Sequence, residues 1–258
     1  MHLVDVHAHL DHERFKDDLA DVIKRWKANG VVTVIAQGLN HESNVKTLAL
    51  AKLDPTIKVA MGLYPCEALS VRVRDDYVRS TVVDVKETLH FIEEHAEDII
   101  AIGEVGLDLQ EIERIEEQRE VLRAILQMAK RMRKPVILHS RKAEKETLDL
   151  LEEEGVTRAV MHCFCGSKKL LERGIAMGLY FSIPTSVVRN QQFRDNTARI
   201  PLGQLLTETD APYMGPMRDL RNEPANIRDA ILAIAEIKRM DPIEVANALY
   251  FNYQKLFQ

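Results

Sequence analysis

Short apolar runs alternate with longer amphipathic stretches along the whole chain. The runs are Leu3 to Val6, Val31 to Ala36, Ile57 to Met61, Ile99 to Gly103, Pro135 to Leu138, Ala159 to Met161, Leu179 to Ile183 and Leu205 to Thr209. They are short and rich in Val, Ile and Leu, as strands buried on both faces are. Between them, residues 118–132 set Val121, Leu122, Ile125, Leu126, Ala129 and Met132 at spacings of three and four, the stripe of an amphipathic helix. Ile227, Ile231, Ile234 and Ala235 repeat that pattern. Asp241-Pro242-Ile243-Glu244 predicts a helix start, with Asp as N-cap, Pro in the first turn and Glu three residues after the cap. Val245, Leu249 and Tyr250 carry that helix on. Eight strands alternating with helices predict an α/β fold, a closed (β/α)8 TIM barrel. The rival is an open doubly wound sheet, weakened by the lack of a Gly-x-Gly-x-x-Gly after the first strand.

Composition adds boundaries. At 258 residues the chain could form one large domain or two small ones. No Ser/Gly-rich linker divides it, so a single domain over 1–258 is expected. Hydrophobic content of 46% and charged content of 29% are ordinary for a globular protein. No run approaches 18 uninterrupted apolar residues, and the N-terminus lacks the layout of a signal peptide, so no membrane association is expected. Three cysteines (Cys66, Cys163 and Cys165) form no even framework, which favours a cytoplasmic location. The net charge of −5 gives no global pull towards nucleic acid, yet permits a basic rim around a cleft. No obligate protein partner is evident. The longest insert, Tyr64 to Val82, is expected to be a lid or rim loop and carries Arg72, Arg74 and Arg79 beside Asp75 and Asp76.

The candidate chemistry lies where the apolar runs end. His7 and His9 follow the first run, and two residues apart on a strand they leave the same face. Glu104 follows the fourth run, His139 the fifth, His162 the sixth and Asp210 the eighth. Barrels of this kind carry their chemistry at the carboxyl ends of the strands. Each residue alone reads as an ordinary buried polar group; together they read as one metal site. Six ligands crowd a single tetrahedral ion, whereas a bridging carboxylate lets two ions share them, and Glu104 is the natural bridge. Gly103 and Gly106 beside it are expected to let backbone and ligands pack close to the ions.

Other residues carry less. His12 is expected as a cap or solvated group in the first loop, His41 as a helix-start residue, and His90 and His95 as solvated. Alternation turns Cys163 and Cys165 away from the metals. Arg141 and Lys142 either clamp an anionic substrate or cap the following helix.

The assembled motifs resemble the TatD-type metal-dependent hydrolases, the TatD-related deoxyribonucleases of the amidohydrolase superfamily. The resemblance runs the length of the chain through Asp5-Val6-His7-Ala8-His9, Gly103-Glu104-Val105-Gly106-Leu107-Asp108, Pro135-Val136-Ile137-Leu138-His139-Ser140-Arg141, His162-Cys163-Phe164-Cys165-Gly166, Glu208-Thr209-Asp210-Ala211-Pro212-Tyr213 and Arg221-Asn222-Glu223-Pro224. It implies His7 and His9 on one metal, His139 and His162 on the other, Glu104 between them and Asp210 beside the reactive hydroxide. Two departures touch the substrate side. Gly62-Leu63-Tyr64-Pro65-Cys66 stands where the family has Gly-Leu-His-Pro-His, and Leu109 stands where an aromatic residue is usual.

The expected activity is divalent-metal-dependent hydrolysis of DNA phosphodiesters, with Asp210 and Glu104 catalytic. Two divalent ions would serve it, from among Zn, Mn, Fe, Co and Ni, which suit imidazole, and Mg, often used with family members. Single-stranded DNA as substrate follows from the resemblance alone. Arg141, Tyr64, Phe164 and Tyr213 are the candidate substrate contacts, the aromatic rings of Phe164 and Tyr213 as stacking platforms or wall. The alternatives are a small-molecule amidohydrolase or esterase acting on a lactone, phosphotriester or aminoacyl-tRNA ester, and a metal-stabilised scaffold without turnover.

Overall fold

A computed structural model describes residues 1–70 and 84–258. One sheet takes the strands in sequence order: β1 (Leu3–Ala8), β2 (Val31–Gln37), β3 (Ile57–Leu63), β4 (Ala101–Asp108), β5 (Val136–Arg141), β6 (Ala159–His162), β7 (Tyr180–Pro184) and β8 (Leu205–Glu208). Every neighbouring pair is parallel. The returning helices are α1 (Leu19–Ala28), α2 (His41–Leu50), α3 (Pro65–Ala68), α4 (Val85–Glu94), α5 (Ile115–Met132), α6 (Glu144–Glu154), α7 (Lys168–Ala176), α8 (Gln191–Arg199), α9 (Ile227–Lys238) and α10 (Pro242–Phe257). The sheet's two edges meet just beyond β8. Ala8 bridges Ala211 in parallel, the His9 N–H donates to the Ala211 carbonyl at 2.8 Å, and the Asp210 N–H donates to that of His7 at 2.8 Å. This closes a (β/α)8 barrel and removes the open-sheet alternative.

Two apolar layers hold it. Val4, Val6, Ile35, Ala60, Ala101, Ile137, Val160, Tyr180 and Leu206 come from all eight strands and fill the interior, where Tyr253, Leu256 and Phe257 of α10 join them. A larger cluster between strands and helices includes Trp26, Ile92, Leu126, Leu148, Phe181 and Ile234. α10 starts as its sequence predicts, with the Asp241 side chain accepting from the Ile243 N–H at 2.7 Å. α5 begins at Ile115, one turn earlier than its apolar stripe suggests.

The strands run past their apolar cores. β1 continues through His7 to Ala8, β4 through Glu104 to Asp108, and β5 through His139 to Arg141. Polar residues hold strand geometry here because each still pairs with a parallel neighbour at the barrel mouth. Glu104 thus sits inside β4 and not at its end. Of the predicted 64–82 insert, Pro65–Ala68 forms α3. Arg72, Arg74, Asp75, Asp76 and Arg79 lie outside the described residues.

The glycines flanking Glu104 serve strand packing. Gly106 has φ +152°, and a Cβ there would lie 1.9 Å from the His139 carbonyl oxygen. A Cβ on Gly103 would meet Gln37 Oε1 and Ile137 Cβ at 2.8 Å. The close approach at Gly106 is to the backbone of His139 and at Gly103 to Gln37 and Ile137, so these glycines let the backbone that carries the nominated ligands pack tightly. Gly106→Ala combines a forbidden φ with a clash against backbone, and is expected to cost about 2–5 kcal/mol in urea unfolding. A loss below about 1 kcal/mol would contradict this packing.

Candidate metal centre

Strand pairing and the β1–β8 seam bring the six residues together at one mouth. The Nε2 atoms of His7 and His9 are 3.3 Å apart. Glu104 Oε2 lies 3.3 Å from the first and 3.4 Å from the second. Asp210 Oδ1 lies 3.6 and 3.3 Å from the same two nitrogens. Ligands about 2.0–2.1 Å from a tetrahedral ion are separated by about 3.4 Å, the tetrahedron's edge. All five of these separations match that edge.

The other oxygen of Glu104 faces a second group. Oε1 is 3.0 Å from His139 Nδ1 and 3.4 Å from His162 Nε2. The two groups are neighbours, because the rings of His7 and His162 stack with centroids 3.9 Å apart and planes 5° from parallel. Each of the triads His7–His9–Glu104 and Glu104–His139–His162 keeps its donor atoms within 4.8 Å of one another.

The donor set fits divalent cations. Imidazole nitrogens converge on each other and on two carboxylates, and a neutral imidazole can bring only one N–H to such a cluster. Burial opposes charge on Glu104, yet the surrounding imidazoles, His7 foremost, outweigh it and hold the carboxyl well below the usual range. Burial and the adjacent His162 push His7 down, the direction that leaves its nitrogen free to ligate. Burial likewise opposes charge on Asp210, and its bond to His9 together with the charges of His162, His7 and His9 outweighs this to bring it below its ordinary value.

Three buried carboxylates that sequence reading did not nominate hold the site in place. Asp108 Oδ2 lies 3.0 Å from His139 Nε2, so a proton on that nitrogen directs the Nδ1 lone pair towards Glu104. The Tyr64 hydroxyl donates to the same Oδ2 at 3.1 Å. Asp108 is itself fixed by the Gln118 side chain, whose Oε1 accepts from its N–H at 2.7 Å. Glu208 does the corresponding work for His162, with Oε2 3.3 Å from Nδ1 while accepting from Ser182 Oγ at 2.5 Å. Asp5 ties the seam, accepting from the N–H groups of His7 at 3.1 Å and Thr209 at 2.9 Å, and burial pushes its carboxyl up to about 8. Asp5 and Asp108 lie two and four residues from His7 and Glu104 on the same strands, and Glu208 ends β8 two residues before Asp210. The two-residue period was therefore the signal that could have found them. Asp210 itself has φ +55°, a left-handed conformation that Asp tolerates.

The candidate substrate contacts spread differently. Tyr64 is at the site, its hydroxyl 3.2 Å from His139 Nε2. Arg141 ends β5 at the rim and pairs with Glu111 at 3.2 Å, while α6 opens at Ala143 without a side-chain cap. Phe164 is only 3% exposed and packs edge-on against Phe181, so its ring has no face for a base. Tyr213 is half-buried, with its hydroxyl 3.1 Å from His12 Nε2. His12 is buried and caps a short turn by accepting from the Arg14 N–H, which answers the cap expectation and removes the solvated one. His41 opens α2, His90 is exposed, and His95 is half-buried with Nδ1 2.9 Å from the Phe91 carbonyl. Among the described residues no cysteine joins a converging donor group.

A closed (β/α)8 barrel with imidazoles and carboxylates gathered at its carboxyl mouth defines a metal-dependent hydrolase. Comparison with known proteins places the chain more narrowly. The family model described as TatD related DNase matches residues 4–258, and the chain belongs to that family. It is 35% identical over 261 residues to human deoxyribonuclease TATDN3, covering 99% of this chain and 94% of that protein. It is 31% identical over 265 residues to the uncharacterized metal-dependent hydrolase YabD of Bacillus subtilis, covering 99% of both. The crystal structure of YJJV, a TatD homolog from Escherichia coli K12, superposes with a TM-score of 0.87 at 29% identity, covering 99% of this chain and 97% of that one. No helix among the described residues is long and apolar enough to cross a membrane.

Proposed function

We propose that this protein hydrolyses DNA phosphodiesters, single-stranded DNA by preference, at a centre of two divalent cations sharing Glu104. One observation carries the reading. The two oxygens of Glu104 face two different imidazole pairs, His7 with His9 and His139 with His162. His7, His9, Glu104 and Asp210 would hold one ion; Glu104, His139 and His162 the other. Imidazole-rich donors favour Zn, Mn, Fe, Co or Ni over Mg. Bound there, the cations supply Lewis-acid polarisation of a phosphoryl oxygen and an acidified water. Asp210, through its carboxylate, would orient the attacking water and accept its proton. Asp108 and Glu208 keep His139 and His162 in the tautomers that turn Nδ1 and Nε2, respectively, to the centre. The deoxyribonuclease named among the relatives supports DNA as substrate.

The assay is cleavage of end-labelled single-stranded DNA with Mn, Zn, Co or Mg, with Asp210→Asn as the control for contaminating nuclease. Metal-dependent cleavage above that control is expected. A second reading, hydrolysis of a lactone or other small ester, is favoured by the burial of Phe164, which removes one base-stacking platform. Turnover of such an ester without DNA cleavage would decide for it.

Two further results are expected. Asp108→Asn releases the constraint on His139 and should weaken metal binding about 10–100-fold, read by competition with a chelating dye. Unchanged affinity would show that Asp108 does not orient the ligand. The Tyr64 hydroxyl is neutral and gives its one donor to Asp108, where an imidazolium could pair with phosphate. Tyr64→His should therefore speed single-stranded DNA cleavage and lower KM, and a slower or unchanged enzyme would remove Tyr64 from the substrate side.

A further inference from the structure

At the opposite end of the barrel, a cleft of about 380 Å³ opens where the chain enters β5 and β6. Lys130, Arg133, Lys134 and Arg158 line it, with Gly155 and Thr157 between them. Three of the cations are pinned by backbone carbonyls. Lys130 Nζ donates to the Glu154 carbonyl at 2.7 Å and Lys134 Nζ to that of Ile99 at 2.7 Å. Arg158 donates from Nη1 to the Arg133 carbonyl at 3.0 Å and from Nη2 to that of Leu256 at 2.7 Å. The Arg133 guanidinium has no hydrogen-bond or carboxylate partner among the described residues. The nearby Glu154 carboxylate is taken by Arg123 at 2.8 Å.

These carbonyls belong largely to helix C-termini, which attract cations, and that explains where the side chains rest. It does not consume their charge. Each ammonium keeps two of its three N–H donors, and the Arg133 fork keeps all of its own. Four cations without a carboxylate among them, in a chain of net charge −5, form a local excess held ready by anchors already made. A phosphoryl group brings about −1.5 to −2 charges and three acceptor oxygens, which match this donor set.

We propose that this cleft is a binding site for a phosphoryl anion, separate from the metal centre. Free phosphates and a nucleic-acid backbone share this chemistry, and the test separates them.

The full-length protein is titrated with pyrophosphate, and separately with a single-stranded oligodeoxynucleotide in chelator, while the amide resonances of Gly155, Val156 and Thr157 are followed. Those local signals distinguish this cleft from any binding at the catalytic mouth. Saturable shifts there are expected, weakened about tenfold or more in the double variant Lys130→Gln/Arg133→Gln. That variant is expected to keep its thermal midpoint, since both side chains are exposed and Arg133 makes no side-chain hydrogen bond or ion pair among the described residues, and to keep its hydrolase activity. Shifts with pyrophosphate alone assign a free phosphate; stronger, salt-sensitive shifts with the oligonucleotide assign a nucleic-acid backbone. No shift at these amides with either probe, or shifts of the same affinity in the double variant, would overturn the proposal.

Discussion

Asp210→Asn is expected to leave a folded, metal-bound protein whose kcat has fallen about 10²–10⁴-fold, the usual contribution of a positioned general base. An amide of the same shape keeps one oxygen for the metal but cannot take a proton. Asn also tolerates the left-handed backbone found at this position (φ +55°), so the barrel seam should survive. His7→Ala and His162→Ala act on the other half of the problem. They remove a ligand and leave the base, so excess metal should restore part of their activity and none of that of Asp210→Asn. The check is kcat across a metal titration for all three variants, beside elemental analysis. Near-normal turnover in Asp210→Asn would remove the proposed base.

Glu104→Gln should have the broadest effect, because both donor groups depend on this side chain. Its carboxylate is 3% exposed and held ionised by the imidazoles around it. Removing one partner from a buried charged pair costs about 3–5 kcal/mol, or about 10²–10⁴-fold in affinity. The loss is expected for both ions at once, where His9→Ala should weaken one and His139→Ala the other. Isothermal titration of metal-stripped protein reads the two affinities separately. Glu104→Gln that lost one ion and held the other with unchanged affinity would show that the carboxylate does not bridge.

Much of this architecture was legible in the chain. Strands buried on both faces announce themselves as short aliphatic runs, and their alternation with amphipathic helices leaves few topologies. The positions of His7, His9, Glu104, His139, His162 and Asp210 at the ends of those runs were enough to place them at one mouth. What the pattern hid has physical causes. Strand ends were misjudged because an apolar run marks the buried core of a strand, while β1, β4 and β5 keep pairing through polar residues at the rim. Asp5, Asp108 and Glu208 were overlooked because their partners, Thr209, His139 and His162, come from other parts of the chain, although the two-residue period counted from His7, Glu104 and Asp210 points to each of them. Phe164 looked available because it adjoins His162, yet the chain turns between them, with Cys163 at φ +44°, and sends the ring into the larger apolar cluster against Phe181.

The number of ions that the active protein carries tests the shared-carboxylate centre most directly. Protein purified without chelator or a metal-affinity tag, brought to full activity and analysed for elemental content, is expected to hold about two divalent ions per chain. Fully active protein holding a single ion, or none, would contradict the shared-carboxylate centre on which the proposed mechanism rests.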